Sequence, residues 1–443
     1  MIVILGGGPA GRTAAMRLAL AGKDVALVEK GGIGGQCLHY GCMVVCALND
    51  AARTIASSKN LHKLGILDDI PSIRFPQLLR EMRNVQERIE SVLDTETRTT
   101  GVDMHYGKEG RLQDGKVFIG DECVEAEAVI AATGSRPKIP DIPGKNLLNV
   151  FNPHTLTDMD PLPDRLVIIG GGVMAAEFAY IFNQFGCDVH LLSRSGLLKN
   201  LDPSLRALAL KELAGVHIHE DCAVGGINGE THAESVTIGR DSPAEIPCDA
   251  VFIAAGLVPR SEKLQGLKTG KNGRIIVDRH MRTSRAGIYA CGDVTGSPCL
   301  TPVARREGIV AADNILGRET VMDYHAIPRS LNLFSELAYW EGDEPGGVVF
   351  SVPGPAGPGT FWSVPGGNTG LARVAVDPDS KRLDAVYTAG PSAGIIAAYT
   401  AFLSRCGIHV DDLENFLEVH PMSDGVYSLL KYASYRLWNK GLE

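Results

Sequence analysis

The chain has 443 residues, a length that favours two or three domains over one. Its composition, with 44% hydrophobic and 21% charged residues, is typical of a globular protein. The formal net charge of −9 argues against a nucleic-acid partner, because nucleic-acid-binding surfaces are basic. No run of about 18 uncharged apolar residues occurs, so we expect no membrane-spanning segment and no membrane partner.

The beginning of the chain and its cysteines predict a compartment. The first predicted strand begins at Ile2, which leaves no room for a signal peptide and predicts a cytoplasmic protein. Ten cysteines in a cytoplasmic protein are not expected to form a structural disulfide framework. Those that are isolated in sequence are predicted to be small buried hydrophobic residues, namely Cys123, Cys187, Cys222, Cys248, Cys299 and Cys406.

Two stretches of the chain have the strand–helix–strand order of a dinucleotide-binding fold. The first has predicted strands at Met1–Leu5 and Lys23–Val28 around a helix at Ala10–Ala21. The second repeats this order with the segments Arg165–Ile169, Val173–Phe185 and Asp188–Leu192. Two such folds in one chain imply two nucleotide ligands.

The remaining pattern divides the chain further. A charged helix is predicted over Phe75–Thr99, and short strands with turns are predicted over Lys116–Ile130. Proline-rich and Gly/Lys-rich stretches near 145–163 and 266–273 mark domain boundaries. A hairpin and two helices are predicted near the end of the chain, at Leu371–Val376, Leu383–Tyr387, Ala393–Ser404 and Leu413–Leu417.

The first fold carries a phosphate-binding turn, Gly6-x-Gly8-x-x-Gly11. Its glycines allow a tight turn, a bare backbone for a pyrophosphate and close helix packing, and the helix N-terminus attracts negative charge. Glu29 stands eighteen residues after Gly11, where a carboxylate accepts hydrogen bonds from ribose hydroxyls. The spacing therefore predicts a dinucleotide site.

The second fold differs at the end of its second strand. Its turn has the residues Gly170, Gly172 and Ala175. Eighteen residues after Ala175 is Ser193, followed by Arg194 and, a short way on, Lys199. A serine with nearby cations accepts a 2′-phosphate that a carboxylate would repel, so we expect NADPH rather than NADH. The alternative is that the two cations are solvated surface charges.

Cys37 and Cys42 form a close pair that directly follows the first fold. Residues five apart in a regular helix are separated by about 7.5 Å along the axis, whereas a disulfide needs Cα atoms roughly 4.4–6.8 Å apart. A bridge therefore requires a distorted turn, which Gly41 would ease. A metal site that adds Cys46 fits no zinc or iron–sulfur spacing well, so we expect a redox pair and no metal, with inert thiols as the other alternative.

Motifs in several parts of the chain carry a family resemblance. They are Gly34-Gly35-x-Cys37-x4-Cys42, Ala131-Ala132-Thr133-Gly134-Ser135-x-Pro137, Ile288-Tyr289-Ala290-Cys291-Gly292-Asp293, Leu300-Thr301-Pro302-Val303-Ala304, Gly390-Pro391-x-Ala393-Gly394 and His420-Pro421. In this order they resemble the class I flavoprotein disulfide reductases, which include dihydrolipoyl dehydrogenase, glutathione reductase and mercuric reductase. The resemblance covers essentially the whole chain.

The resemblance implies a fold and its division into domains. The fold class is α/β, with two Rossmann-like dinucleotide-binding domains, for FAD and NAD(P)H, and a C-terminal α+β interface domain. The expected boundaries are 1–148 and 268–324 for the FAD-binding domain, 149–267 for the NAD(P)H-binding domain and 325–443 for the interface domain, which would form a homodimer.

The resemblance also implies a reaction. Electrons pass from NAD(P)H through FAD to the Cys37–Cys42 disulfide and on to a small-molecule or protein disulfide or thiol. Cys42 is expected near the flavin and Cys37 as the thiol that attacks the substrate. His420, from the other subunit, is expected as the acid–base partner of Cys37. Asp293 is expected to hold the ribityl chain of the flavin.

Three departures from the family pattern surround this centre. Cys46 stands where the family has a lysine, which leaves Glu177 without its usual partner. Asp424 stands near the place of a glutamate that orients the histidine, so either Asp424 orients His420 or that acid is missing. The segment 331–336 and the proline-rich stretch 344–367 match the interface domain poorly. Two alternatives therefore remain, a ketopropyl-coenzyme M carboxylase-like reaction and an electron-relay flavoprotein that serves a partner protein.

The motifs together predict a set of site residues. The predicted catalytic residues are Cys37, Cys42, His420, Asp424 and Cys46, the last as either a third working thiol or a filler. The predicted cofactor-binding residues are Gly6, Gly8, Pro9, Ala10, Gly11, Glu29, Lys30, Gly35, Thr133, Gly134, Gly170, Gly172, Glu177, Ser193, Arg194, Lys199, Gly256, Gly292, Asp293 and Ala304.

Overall fold

The structure is a computed structural model that describes residues 1–239, 243–296, 298–343, 346–355, 357–422 and 425–438. Its helices are α1 (Pro9–Leu20), α2 (Gly35–His39), α3 (Cys42–Lys63), α4 (Phe75–Thr99), α5 (Val173–Gln184), α6 (Pro203–Glu212), α7 (Thr301–Ile315), α8 (Ala393–Arg405) and α9 (Val426–Trp438). Within the described ranges, no helix combines the length and the apolar composition that crossing a membrane requires.

The strands are short, as is usual in sheets with this many members. They are β1 (Ile2–Leu5), β2 (Val25–Glu29), β3 (Asp103–Tyr106), β4 (Gly110–Gln113), β5 (Lys116–Ile119), β6 (Glu122–Val124), β7 (Ala128–Ala131), β8 (Ser135–Pro137), β9 (Val150–Phe151), β10 (Arg165–Ile169), β11 (Asp188–Leu192), β12 (His217–His219), β13 (Val224–Asn228), β14 (Ser235–Ile238), β15 (Ala244–Pro247), β16 (Ala250–Ile253), β17 (Leu257–Pro259), β18 (Ile288–Ala290), β19 (Arg329–Asn332), β20 (Glu336–Glu341), β21 (Val348–Pro353), β22 (Leu371–Val376) and β23 (Leu383–Ala389).

The first compact unit comprises Met1–Ala47, Arg74–Leu162 and Phe252–Asp323. Its central sheet has the strand order β18-β7-β1-β2-β3, and all its strands are parallel. Every residue of β1 is buried, because parallel strands are covered on both faces. Helix α1 packs against α7, and an ion pair of 2.7 Å between Arg17 Nε and Asp313 Oδ1 joins the two helices.

The second compact unit comprises Leu48–Ile73, Pro163–Val251 and Tyr324–Glu443. Strands β10, β11 and β12 pair side by side in parallel, with α5 packed on β10 and β11. Strands β13, β14 and β15 form a separate antiparallel sheet. The order β10-α5-β11 repeats the order β1-α1-β2, as the glycine spacing predicts.

The last part of the chain forms an antiparallel sheet with helices on it. The strand order is β19-β20-β23-β22-β21, and α8 and α9 pack on this sheet. Trp340 on β20 is fully buried and donates through Nε1 to Thr400 Oγ1 of α8 at 2.8 Å. The predicted fold class, two Rossmann-like folds with a C-terminal α+β part, is confirmed.

Two predictions about the fold are wrong. The chain forms a 3-10 helix at Val410–Asn415 and then no regular element, where a helix is predicted at Leu413–Leu417. Among the isolated cysteines, burial is wrong for Cys123, Cys299 and Cys406, which are exposed. Cys123 lies on β6, at the edge of a three-stranded sheet, where one side of the strand has no neighbour.

Candidate active site

The first glycine turn leaves room for an anion at the start of helix α1. Gly8 caps α1 without a side-chain hydrogen bond, so the first backbone N–H groups of the helix are available to a ligand. A Cβ atom on Gly11 would lie 2.0 Å from the carbonyl oxygen of Gly6, so only glycine permits this approach. Pro9 occupies the first helical turn, where its missing N–H costs nothing, and Ala10 after it is buried.

The carboxylate of Glu29 lies beside this turn, at the end of β2. Its Oε2 accepts from the Gly7 backbone N–H at 2.6 Å and its Oε1 from the Gly31 N–H at 2.8 Å. These bonds hold the acid where a ribose hydroxyl can donate to it. The neighbouring Lys30 is exposed and pairs with Glu109 at 3.3 Å, so its contact with a cofactor stays a prediction.

A half-buried acid follows strand β18, where the flavin motif predicts it. Ser135 Oγ donates to Asp293 Oδ2 at 2.6 Å, and Thr133 and Gly134 form the connection between β7 and β8 that leads to this serine. Burial raises the pKa of Asp293, and hydrogen bonds from Ser135 and Cys299 act against this rise. A half-buried carboxylate can accept a further hydroxyl, as a ribityl chain would provide.

The residue before Asp293 packs against the first turn of α1. A Cβ atom on Gly292 would lie 3.1 Å from the Cβ of Ala10, the second residue of α1. The Gly292 N–H donates to the buried Glu307 Oε2 at 2.6 Å, so the turn before Asp293 is held from the α7 side. Ala304, also on α7, is buried beside Gly292, since a Cβ atom on Gly292 would lie 3.7 Å from the Cβ of Ala304.

The segment Gly34–Cys42, here called the redox turn, contains the helix α2 and ends where the helix α3 begins. Gly34, in the left-handed conformation with φ of 100°, caps α2, which carries Cys37, whereas Cys42 is the first residue of α3. The cysteines therefore lie on different helices, which supplies the distortion that a bridge between them requires. Gln86 of α4 fixes the end of α2, since its buried Nε2 donates to Leu38 O at 2.7 Å.

Helix α2 lies directly beside the glycine turn. A Cβ atom on Gly35 would lie 2.8 Å from Gly8 Cα. Gln36 accepts through Oε1 from His154 Nε2 at 2.6 Å, and burial lowers the pKa of His154 to about 4, so the imidazole is neutral at pH 7. The Nε2 of Gln36 is buried with no hydrogen-bond partner among the described residues. This orphaned donor, next to two bare glycines, fits a bound dinucleotide such as FAD.

The two thiols of the redox turn share one proton. A hydrogen bond from Cys42 is the main reason that the pKa of Cys37 is lowered to about 6, and Thr301 and the charge of Arg305 also lower it, against burial. The same hydrogen bond raises the pKa of Cys42. Cys42 Sγ lies 3.8 Å from Thr301 Oγ1, at the N-terminus of α7. At neutral pH the pair therefore holds a thiolate on Cys37, which is the nucleophilic form.

The cation near this pair comes from α7. Cys46 lies one turn after Cys42 on α3, is exposed, and raises the pKa of Cys37 rather than lowering it. Arg305 lies one turn after Thr301 on α7 and acts on Cys37 as a positive charge. Arg305 on α7 therefore supplies a positive charge that favours the Cys37 thiolate, whereas Cys46, at the position of the family's lysine, supplies none.

The second glycine turn has the same form and a different neighbour. Gly172 caps α5 with no side-chain hydrogen bond, and Gly170 directly follows β10. A Cβ atom on Gly171 would lie 2.3 Å from Ser193 Oγ. Ser193 is 1% exposed, and its Oγ has no hydrogen-bond partner among the described residues. A buried hydroxyl without a partner at this position fits a bound nucleotide.

Four further residues that are predicted to bind a cofactor differ in their exposure. Arg194 and Lys199 are exposed, so both charges are available to a phosphate. Gly256 is exposed and left-handed, with φ of 102°. Glu177 is 8% exposed, and its Oε1 accepts from the Asn332 backbone N–H at 2.9 Å. Within the second unit, Glu177, whose usual lysine partner is absent from this chain, thus accepts a hydrogen bond from a backbone N–H of β19.

The C-terminal residues of the predicted site are placed only in part. His420 is exposed, in an irregular segment after the 3-10 helix. Asp424, predicted to orient it, lies outside the described residues. The role of His420 therefore stays a prediction.

Comparison with known proteins identifies this assembly of motifs. Residues 1–308 match the family described as pyridine nucleotide-disulphide oxidoreductase. The chain belongs to this family. An uncharacterized protein of Methanocaldococcus jannaschii is 31% identical over 96% of this chain and 96% of that protein. Dihydrolipoyl dehydrogenase 3 of Haloarcula marismortui is 27% identical over 95% of this chain and 93% of that protein.

A solved structure agrees with the fold. LpdA of Mycobacterium tuberculosis matches with a TM-score of 0.86 over 98% of this chain and 99% of that chain, at 22% identity. At this identity the match establishes the fold alone. Membership of the family makes this protein an FAD-dependent NAD(P)H:disulfide oxidoreductase, an enzyme that acts on a sulfur group.

Sequence reasoning missed three contributors to the site. They are Arg305, Thr301 as a contact of Cys42, and the amide of Gln36 held by His154. Thr301 and Arg305 are four residues apart, which places them on one face of a helix, and this signal could have joined them. The pairing of Gln36 with His154 spans 118 residues and has no local signal.

Proposed function

We propose that the enzyme uses NADPH to reduce a Cys37–Cys42 disulfide and that Cys37 then attacks a disulfide substrate. The observation that carries this proposal is the thiol pair itself, split over α2 and α3 beside the first glycine turn, with the pKa of Cys37 lowered to about 6. At neutral pH the reduced pair then has one thiolate nucleophile and one thiol, which is the arrangement that thiol–disulfide exchange needs.

Residues of the first unit are proposed to hold the FAD. FAD, when bound, supplies the transfer of electrons between a nicotinamide and a disulfide. The α1 N-terminus at Gly8 binds the pyrophosphate, Glu29 accepts from ribose, and Asp293 accepts from the ribityl chain. Gln36 Nε2 donates to the same ligand. The proposed FAD-binding domain comprises 1–148 and 268–324.

The nucleotide donor is proposed to be NADPH, bound within 149–267. Ser193 Oγ is buried without a partner, and no carboxylate stands at this position to repel a 2′-phosphate. The exposed Arg194 and Lys199 add positive charge nearby. Charge-assisted hydrogen bonds to a phosphate are about twice as strong as neutral ones, so these groups favour NADPH over NADH.

The active form is proposed to be a homodimer through the C-terminal domain, 325–443. Large apolar side chains of this part are exposed, since Leu417 is 86%, Val419 78% and Ile395 69% accessible. An apolar surface of this kind suits a second copy of the chain. His420 lies in the same exposed segment, and His420 of the partner subunit is proposed to exchange protons with Cys37.

The substrate is proposed to be a disulfide or dithiol, and the name of the Haloarcula marismortui relative makes dihydrolipoamide and lipoamide the first to test. The experiment measures kcat/KM with NADPH and with NADH against a panel of disulfides, lipoamide and glutathione disulfide among them. We expect NADPH to be preferred and the activity of Cys37→Ser to be strongly reduced with every disulfide. Turnover of any disulfide by Cys37→Ser at a rate similar to that of the wild type would contradict the proposal.

Complementation tests the dimer. A heterodimer of one Cys37→Ser subunit and one His420→Gln subunit keeps one complete site if His420 serves the partner's Cys37. We expect about half of the wild-type activity from the purified heterodimer, while each variant homodimer is impaired. A heterodimer with no more activity than the homodimers would show that His420 acts within its own subunit or not at all.

A further inference from the structure

Four metal-ligating side chains meet on one face of the second nucleotide-binding sheet. Asp188 and His190 are two residues apart on β11, and His217 and His219 are two residues apart on β12. The strands are parallel neighbours, with His190 directly opposite His217. Residues two apart on a strand point to the same face, so strand pairing collects side chains that lie about 30 residues apart in the sequence.

Distances among these groups match those of a coordination site. His217 Nε2 lies 3.2 Å from Asp188 Oδ1. One ligand atom from each of Asp188, His190 and His217 lies within 4.8 Å of the other two. Bonds of about 2.0–2.2 Å place neighbouring ligand atoms of a tetrahedral metal site roughly 3.3 Å apart. Small rotations of exposed side chains therefore complete the geometry.

The fourth side chain, His219, contacts the ring of His190. His190 Nδ1 and His219 Nε2 are 3.1 Å apart, a hydrogen-bond distance. A hydrogen bond at Nδ1 leaves the Nε2 atom of His190 to bind a metal, which is how outer partners orient histidine ligands.

We propose that Asp188, His190 and His217 bind a divalent transition-metal ion of the zinc class, with His219 as a positioning residue. Two imidazoles and one carboxylate suit zinc, cobalt or nickel, whereas magnesium and calcium require oxygen ligands. The exposure of Asp188 and His217 leaves a fourth position to water. No metal is expected from the sequence, whose candidate metal ligands are the cysteines of the redox turn.

Such an ion joins β12, the edge strand of the sheet, to β11. The two-residue spacing of Asp188-x-His190 and of His217-x-His219 is the sequence signal for this site. Neither pair signals a site alone, because the register of the two strands is needed to bring them together. The site shares no residue with the proposed disulfide and nucleotide sites, so its test is independent of the proposed function.

The test uses tag-free, chelator-treated FAD holoenzyme with Cys37→Ser and Cys42→Ser, which removes the thiol pair of the redox turn. Titration with ZnCl2 by calorimetry and with CoCl2 by visible absorption is expected to give one ion per chain. His190→Ala and His217→Ala are expected to weaken binding by more than about 100-fold, since loss of an outer partner alone costs roughly 10–100-fold. His232→Ala, at an exposed histidine elsewhere in the second unit, is the matched control and is expected to bind normally.

Two further variants separate ligands from positioning. His219→Ala is expected to weaken binding by roughly 10–100-fold, and His219→Gln to restore part of it, because an amide can keep the hydrogen bond to His190. FAD content and thermal unfolding without metal confirm that each variant is folded. Equal affinity of folded His190→Ala, His217→Ala and control proteins, or no bound ion in any of them, would overturn the proposal.

Discussion

The two glycine turns of this chain have one backbone plan and different neighbours. A Cβ on Gly7 would lie 3.2 Å from Glu29 Oε2, and a Cβ on Gly171 would lie 2.3 Å from Ser193 Oγ. Glu29 and Ser193 thus occupy the same place in the two folds. The Gly7 N–H already donates to Glu29, whereas Ser193 Oγ has no partner among the described residues. The two turns thus have a carboxylate and a hydroxyl, respectively, at the end of the second strand, and the proposed nucleotide preferences rest on this difference.

The turns also differ in what lies beside them. The first turn touches the redox helix, since a Cβ on Gly35 would lie 2.8 Å from Gly8 Cα. Its third glycine, Gly11, has no room for a methyl group, whereas Ala175 at the same place in the second turn is buried and accommodated. The first turn therefore has less room at its third position than the second turn.

The largest expected effect concerns the thiols beside the first turn. Cys37→Ser removes the nucleophile, so NADPH-dependent reduction of disulfides is expected to fall by on the order of 10³-fold or more. Electron transfer from NADPH to an artificial one-electron acceptor is expected to continue, because both nucleotide turns are unchanged. Steady-state kinetics with the two acceptors measure this, and equal losses with both would break the assignment of the chemistry to the thiols.

A smaller effect is expected from exchanging the side chains that distinguish the turns. Ser193→Glu puts a carboxylate where we place the 2′-phosphate and is expected to shift the ratio of kcat/KM for NADPH over NADH by about 100-fold toward NADH. Ser193→Ala is the control, which removes the hydroxyl without adding charge and is expected to shift the ratio less. An unchanged ratio in Ser193→Glu would place the 2′-phosphate elsewhere.

The third positions of the two turns, Gly11 and Ala175, give a matched pair of variants. Gly11→Ala forces a methyl group against Gly6 O, and overpacking of this kind costs about 1–3 kcal/mol. FAD affinity, measured by release of the flavin during dilution or dialysis, is expected to fall by at least about tenfold. Ala175→Gly, the reverse change in the second turn, is expected to leave FAD binding unchanged. Similar FAD loss in both variants would contradict the difference in packing.

The smallest effect expected concerns the pH dependence of Cys37. Its pKa of about 6 makes alkylation of the reduced enzyme by iodoacetamide half-maximal near pH 6. Arg305→Met removes a positive charge that favours the thiolate, so the midpoint is expected to rise by about 0.5–1 pH unit. Arg306→Met changes the neighbouring exposed charge and is expected to leave the midpoint in place. A midpoint unaffected by Arg305→Met would show that Cys42 and Thr301 lower the pKa of Cys37 without a contribution from Arg305.

Much of the fold could be predicted because it has local signals. The strands β10 and β11 and the helix α4 have the predicted bounds, since continuous apolar runs and helical periodicity mark them. The 3-10 helix at Val410–Asn415 could not be told from an α-helix, because short helices lack a full period. The fold class followed from repeated glycine motifs, which is a stronger signal than any single element.

The site was predictable only where its residues are close in sequence. The cysteines, the glycines and Glu29 all belong to local motifs, whereas Arg305 lies 268 residues from Cys37 and reaches it only through the packing of α7. The histidines of β11 and β12 likewise meet through strand register. No local pattern carries such contacts, because tertiary packing decides them.

The most direct test of the central claim is an anaerobic titration of the oxidised enzyme with NADPH, followed by alkylation and mass spectrometry of the cysteines. The account predicts that NADPH oxidation produces two new thiols per chain, at Cys37 and Cys42, and that Cys46 is alkylated equally before and after. Complete NADPH oxidation with no new thiol at Cys37 or Cys42 would contradict the account.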